Sequence, residues 1–175
     1  MAARDESLGA VLREESKVGL RYARVLHHPP EKVWRALTES EHLQHWFPAD
    51  LVGERRAGAE LRLPFWPDAV ERFDVEEPVL TGTLLVWDPP RMLELTWDTD
   101  RLLWELEPVE EGTRLTLTTW LGDLSVPVAD TGSGYHVCLD RLAELLDTGA
   151  VGYLEDATIA HWRQRYEEHV GASAP

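Results

Sequence analysis

The sequence has one cysteine, few lysines and no long apolar run, and each scarcity excludes a class of protein. Cys138 is the only cysteine among 175 residues, so no disulfide can form within the chain. No segment approaches the roughly 18 apolar residues of a membrane span, and residues 1–18 lack the apolar core of a signal peptide. We therefore expect a cytoplasmic protein that does not enter a membrane.

Positive charge is also scarce. Lys and Arg together number 17 against 32 Asp and Glu, which gives a formal net charge of −15. Such a surface repels nucleic acid and anionic lipid, so neither is an expected partner. The basic residues are almost all arginine, a usage typical of GC-rich bacterial genomes.

What the chain does contain is typical of a folded protein. Its 43% hydrophobic and 28% charged residues argue against disorder, and its length suits one domain. We expect a single domain over 1–175, with a core at 8–148 and a tail at 149–175 that holds a short helix over 156–169. Eight tryptophans beside only three phenylalanines are the one unusual feature.

The first half of the sequence predicts a hairpin and two short helices. Residues 8–13 and 18–26 read as paired strands, and Ala23 and Val25 break the alternation, which predicts a bulge there. Pro30 suits the first turn of a helix that continues over 31–37. Ser40 is then the expected N-cap of a second helix over 41–47.

A succession of strands follows, up to Leu121. We expect strands at 51–52, 61–65, 73–75, 81–87, 92–97, 102–106 and 114–120, joined by short polar turns. Alternation assigns one apolar face to the last three, namely Leu93, Leu95, Trp97, Leu102, Trp104, Leu106, Leu115, Leu117 and Thr119. The opposite face is expected to be wet, with Glu94, Thr96, Glu105, Arg114, Thr116 and Thr118.

A long amphipathic helix is the predicted cover for that apolar face. After a loop at 130–134, in which Ser133 is the expected cap, residues 135–147 place six side chains on one helical stripe. Gly149 ends the helix. The stripe consists of Tyr135, Cys138, Leu139, Leu142, Leu145 and Leu146. The apolar stripe of the helix and the apolar face of the sheet can be buried only against each other, which predicts an α+β fold.

Three stretches carry a family resemblance: 29–38 with 42–48, 104–108 with 112–118, and 134–136 with 139–142. With this element order, the chain resembles the START-like helix-grip fold of the SRPBCC superfamily, also called Bet v-like. More narrowly, it is similar to the bacterial family related to the activator of the ninety-kilodalton heat-shock-protein ATPase. The resemblance implies a curved antiparallel sheet wrapped around a long C-terminal helix, with two short helices after the first long strand.

The same resemblance implies a cavity between sheet and helix. We expect its lining to be Leu93, Leu95, Trp97, Leu102, Trp104, Leu106, Leu115, Leu117, Thr119, Tyr135, Cys138, Leu139 and Leu142. The first hypothesis is therefore non-catalytic binding of a small hydrophobic or aromatic molecule. A chaperone-associated or regulatory interaction domain is the alternative, and a cyclase or hydrolase the second.

Few residues are candidates for catalysis or metal binding. His27, His28, His42 and His45 lack the spacing and companions of a metal site, so we expect no metal, no cofactor and no catalytic set. His136, at the start of the long helix, is the one candidate for proton transfer. Cys138 is read as an apolar filler. A homodimer through strand edges or the tail stays open.

Overall fold

The structure, a computed structural model, describes residues 7–173. Strands β1 (Ala10–Glu14) and β2 (Lys17–Leu26) form the predicted hairpin. The bulge predicted at Ala23 and Val25 is wrong, because β2 pairs without a register shift from Gly19 to Leu26. Alternation continues because Arg24 occupies the inward position between Tyr22 and Leu26, while Val25 is 46% exposed.

Two short helices follow, α1 (Pro30–Thr38) and α2 (Ser40–Trp46). Pro30 lies in the first turn of α1, as predicted. Ser40 is not the cap of α2: Glu39 holds that position, and the Ser40 hydroxyl instead donates to Asp50 Oδ1. The Trp46 indole N–H donates to the Ala36 carbonyl at 2.9 Å, which fixes the two helices together.

The next elements are β3 (Glu60–Pro64), α3 (Pro67–Phe73) and β4 (Val79–Asp88). A strand at 73–75 was expected, and this prediction is wrong because Phe73 ends helix α3. Pro67 starts the helix, and Asp74 ends it in the left-handed conformation with φ 49°. The Phe73 side chain is 53% exposed and Val75 is half-buried, so neither residue of the apolar pair that suggested a strand belongs to the core.

Strands β5 (Met92–Trp97), β6 (Asp100–Val109) and β7 (Gly112–Trp120) complete one antiparallel sheet in the order β1-β2-β7-β6-β5-β4-β3. Of the nine side chains predicted to face inward, eight are at most 4% exposed, and Trp97 is half-buried. The outer face is polar but not uniformly wet, since Thr118 is only 4% exposed beneath Arg21.

Helix α4 (Val128–Thr148) lies against the inner face of the sheet, which confirms the helix-grip arrangement. It begins seven residues earlier than predicted, so 130–134 is helix and not loop, and Ser133 donates to the Asp130 carbonyl instead of capping. Gly149 ends α4 with φ 78°, as expected. Helix α5 (Asp156–Ala172) then packs on α4.

None of the helices in the described part of the chain is both long and apolar enough to span a membrane.

Candidate functional site

The layer between the sheet and α4 contains all thirteen side chains predicted to line a cavity. On α4, Leu139 and Leu142 are buried, whereas Tyr135 and Cys138 are half-buried. His136 and Val137 are also buried, because α5 covers the side of α4 that faces away from the sheet. The helix therefore buries two faces, one against the sheet and one against α5.

Aromatic rings from α2 and its C-terminal end fill the centre of this layer. Trp46 meets the Trp104 ring edge-on, with centroids 5.9 Å apart, and Phe47 meets the Trp97 ring at 5.2 Å. The Phe65 ring contacts Trp97 from the other side at 5.8 Å. The two tryptophans expected to line a cavity thus pack against aromatic side chains.

Two pockets in the described part of the chain lie outside this layer. One, of about 210 Å³, lies between α4 and residues 152–158, and has Asp140, Arg141 and Glu144 on its wall. The other is a shallow depression beside residues 76–81 and Asp98.

The layer has one polar end, where β5, β6 and β7 approach the first turns of α4. The Thr119 hydroxyl is fully buried there and interacts only weakly with the Tyr135 hydroxyl, short of a well-formed hydrogen bond. A buried polar group without a well-formed hydrogen bond costs about 1–3 kcal/mol, so this hydroxyl is an expensive feature of an otherwise apolar interior. It is the one such hydroxyl among the predicted lining residues.

Tyr135 and Asp100 complete this polar end. Burial raises the pKa of the Tyr135 phenol well above its usual range, and the Asp100 carboxylate acts in the same direction. A weak hydrogen-bonding interaction with the Thr119 hydroxyl acts on this pKa in the opposite direction. Burial also raises the pKa of Asp100, which accepts a hydrogen bond from the Gly122 backbone N–H at 2.9 Å. Tyr135 therefore remains a neutral hydrogen-bond donor.

Cys138 lies on the same face of α4. Burial raises the pKa of its thiol to about 12, although Arg141 opposes the shift. The thiol stays protonated at neutral pH, and only the thiolate is a strong nucleophile. This agrees with its interpretation as an apolar filler.

His136, the predicted proton-transfer candidate, does not belong to this polar end. Its ring is buried where α4 meets α5 and β2: Nδ1 lies 3.1 Å from the Tyr166 hydroxyl and 3.4 Å from Arg24 Nη2. This polar cluster was not predicted from the sequence. The signal that could have indicated it was Arg24, a charged residue at an inward position of β2.

A group of three potential metal ligands, Glu39, Glu41 and His42, comes together at the start of α2. Their ligand atoms lie within 4.8 Å of one another on the surface, a spacing that exposed acidic groups often show without an ion. His42 Nε2 lies 3.6 Å from each carboxylate, so ion pairing accounts for the group.

The arrangement of one sheet, two short helices and the long α4 agrees with a known family. The family model described as "Activator of Hsp90 ATPase homolog 1-like protein" matches residues 27–147, which is more than two thirds of the chain. The chain belongs to this family. The match leaves out β1, β2 and α5. The chaperone partner that the resemblance suggests stays a prediction.

Solved structures show the same fold. A conserved protein of unknown function from Enterococcus faecalis, EF2215, has a TM-score of 0.77 at 21% identity, over 95% of this chain and 92% of that one. The protein encoded by gene BPP1335 from Bordetella parapertussis has a TM-score of 0.68 at 26% identity, over 96% and 95%. CalU16 from Micromonospora echinospora has a TM-score of 0.67 at 18% identity, over 94% and 95%. No curated protein matches the chain.

Proposed function

We propose that this protein binds a small hydrophobic or aromatic molecule, without catalysis, between the sheet and α4. The bound molecule occupies the polar end of that layer, beside Trp97, Thr119 and Tyr135. The observation that carries the proposal is the buried Thr119 hydroxyl, which has only a weak interaction with Tyr135 and no well-formed hydrogen bond. A ligand that hydrogen-bonds to this hydroxyl would offset its desolvation cost.

The groups at the polar end define the class of ligand. Tyr135 offers a proton, and Thr119 can both donate and accept. The Asp100 carboxylate close to Tyr135, and the net charge of −15, disfavour an anion. The best match is a neutral molecule with an apolar or aromatic body and one carbonyl or hydroxyl group.

Binding requires side chains to move, because aromatic rings fill the layer. Trp97 is the side chain that must yield, since it is only half-buried at the margin of the core and meets the Phe47 and Phe65 rings edge-to-face. An edge-to-face contact contributes about 0.5–1.5 kcal/mol beyond its buried area. An aromatic ligand can replace both contacts, so the cost of displacing Trp97 is largely recovered.

The test is a titration monitored by tryptophan emission. Probes are a sterol, a neutral aromatic polyketide and a fatty acid, and we expect the two neutral probes to quench emission and the fatty acid to bind more weakly. Thr119→Val should reduce affinity by about tenfold, the value of one hydrogen bond. It should also leave the fold about as stable as wild type, because only the weak interaction with Tyr135 is lost.

Thr118→Val is the matched control on the neighbouring position of β7. Both threonines are buried, but the Thr118 hydroxyl accepts a hydrogen bond from Arg21 Nε at 3.3 Å. The control should therefore lose about 1 kcal/mol of stability and keep wild-type affinity. The proposal fails if neither neutral probe changes the emission, or if Thr119→Val binds them as tightly as wild type does.

A further inference from the structure

A second buried polar cluster, independent of the ligand proposal, joins α5 to the rest of the domain. We call it the clasp: Arg24 on β2, His136 on α4, Tyr166 on α5, and Gly9 before β1. The Tyr166 hydroxyl accepts a hydrogen bond from the Gly9 backbone N–H at 2.7 Å. On its other side it lies 3.1 Å from His136 Nδ1. A single phenol thus connects three separate parts of the chain.

Helix α5 has little other buried surface. Tyr166 is the only residue of its 17 that is buried, and the helix has a polar residue at most other positions. Trp162 stacks on the His136 ring with centroids 3.7 Å apart, and His169 Nε2 bonds to the Gly9 carbonyl at 3.0 Å. One ion pair, from Arg163 to Asp130, also joins α5 to α4. Docking of α5 therefore depends on the clasp, together with half-buried Ile159 and Val170 and the ion pair from Arg72 on α3 to Asp156.

The clasp fits only a neutral His136. A guanidinium can donate hydrogen bonds but cannot accept them, so Arg24 requires a free lone pair on Nδ1. The Tyr166 hydroxyl accepts from Gly9, lies 3.1 Å from the same nitrogen and also has the Tyr22 hydroxyl as a hydrogen-bond neighbour. The guanidinium beside Nδ1 makes this nitrogen the acceptor of the ring. The single ring proton is then on Nε2, which faces Asp140 Oδ2 at 3.5 Å.

Protonation of His136 would place a proton on Nδ1 beside the Arg24 guanidinium. The charged and titratable groups around the ring are Arg24 on β2, Asp140 on α4 and Tyr166 on α5, with Tyr22 and His169 next to Tyr166. Asp140 and the Trp162 ring favour an imidazolium, but Asp140 is half-exposed and therefore screened by water. Arg24 opposes it, because its guanidinium lies 3.4 Å from Nδ1 and would face a second positive charge inside the cluster.

We propose that α5 is a pH-sensitive clasp helix: protonation of His136 releases α5 and residues 7–9, while the sheet and α4 stay folded. The region that the family shares ends at residue 147, before α5 begins, so the releasable part lies outside the shared core. His169 does not act as the sensor. Its Nε2 donates to a carbonyl, and a protonated imidazole makes the same bond.

Hydrogen exchange followed by mass spectrometry on the full-length chain tests the proposal. Exchange of the α5 amides is compared at about pH 7.5 and about pH 5.5, after correction for the intrinsic rate. Uptake of one proton on opening changes the equilibrium by at most tenfold per pH unit. We expect α5 exchange to accelerate by about tenfold or more, with β6 and β7 unchanged.

His136→Gln keeps an acceptor for Tyr166 but cannot be protonated, so the acceleration should fall below about twofold. His161→Gln is the matched control, because the exposed His161 also contacts Trp162, at 5.1 Å, but lies outside the clasp. It should keep the wild-type response. Should His136→Gln fail to dock α5 at neutral pH, Tyr166→Phe is the second variant, with weaker protection at neutral pH and a smaller pH response.

Three results would overturn the proposal. The first is α5 exchange that does not depend on pH in the wild-type chain. The second is a wild-type response in a docked His136→Gln chain, or in Tyr166→Phe. The third is loss of the response in His161→Gln, which would assign the sensor to the wrong histidine.

Discussion

Two glycines in the same helix should respond to alanine with opposite signs. Gly132 and Gly134 both lie in α4, where alanine is favoured over glycine by about 1 kcal/mol of helix propensity. A Cβ on Gly134 would have no atom within 4 Å. A Cβ on Gly132 would lie 2.6 Å from Tyr166 Cδ1 and 3.0 Å from Cε1. The same substitution therefore tests how tightly α5 packs on α4.

The magnitudes follow from these distances. Gly134→Ala should stabilise the protein by about 1 kcal/mol, because the propensity gain meets no steric cost. Gly132→Ala gains the same propensity but forces the buried Tyr166 ring to move, and overpacking of this kind costs about 1–3 kcal/mol. We expect Gly132→Ala to be less stable than wild type by about 1 kcal/mol, and the two variants to differ by about 2 kcal/mol.

Urea unfolding monitored by circular dichroism measures both values in the full-length chain. If Gly132→Ala stabilised the protein as much as Gly134→Ala, the Tyr166 ring would not be held against α4, and the packing argument would be refuted. Hydrogen exchange of α5 separates local from global effects: Gly132→Ala should expose α5 amides more than those of β6.

Two further substitutions test the layer between sheet and α4. Trp104→Ala should destabilise the protein by about 3–5 kcal/mol in urea unfolding, because Trp104 is 3% exposed and packs against Trp46; a loss below about 1 kcal/mol would contradict that packing. Asp100→Asn should gain stability relative to wild type as pH rises from about 3.5 to about 7. Burial raises the pKa of Asp100, so the carboxyl group favours folding when protonated and loses that contribution as it ionises. Asparagine keeps an acceptor for Gly122, and an equal difference between the two chains at both pH values would refute the assignment.

The sheet could be predicted from sequence because its signal is local. Period-two alternation in β5, β6 and β7 requires only that one face be apolar, and every one of the nine inward residues was assigned correctly. Short polar joins fixed the antiparallel order of these strands. A bulge was wrongly predicted in β2, because an inward arginine does not fit a rule that equates inward positions with apolar residues.

Two glycines caused the beginning of α4 to be predicted as a loop. The sequence Gly132-Ser133-Gly134 has the composition of a loop, since glycine lowers helix propensity and serine favours caps. In the structure Gly132 lies within the helix. Glycine is needed there because a neighbouring ring occupies the space that a Cβ would fill. That ring belongs to Tyr166, 34 positions away in sequence, so no local pattern indicates the contact.

The polar residues of the candidate site could be assigned to the interior from the sequence, whereas those of the clasp could not. Thr119 and Tyr135 were assigned to the interior because each follows the period of its own element. His136 follows neither the apolar stripe of α4 nor the surface, because it faces a second helix whose position depends on Tyr166. A helix that buries two faces has two overlapping stripes of buried positions in its sequence. The apolar stripe is recognised first, and the polar stripe is then taken for exposed surface. Burial of His136 beside Arg24 therefore depends on tertiary contacts, and the pH dependence of α5 hydrogen exchange is the measurement that reports on it.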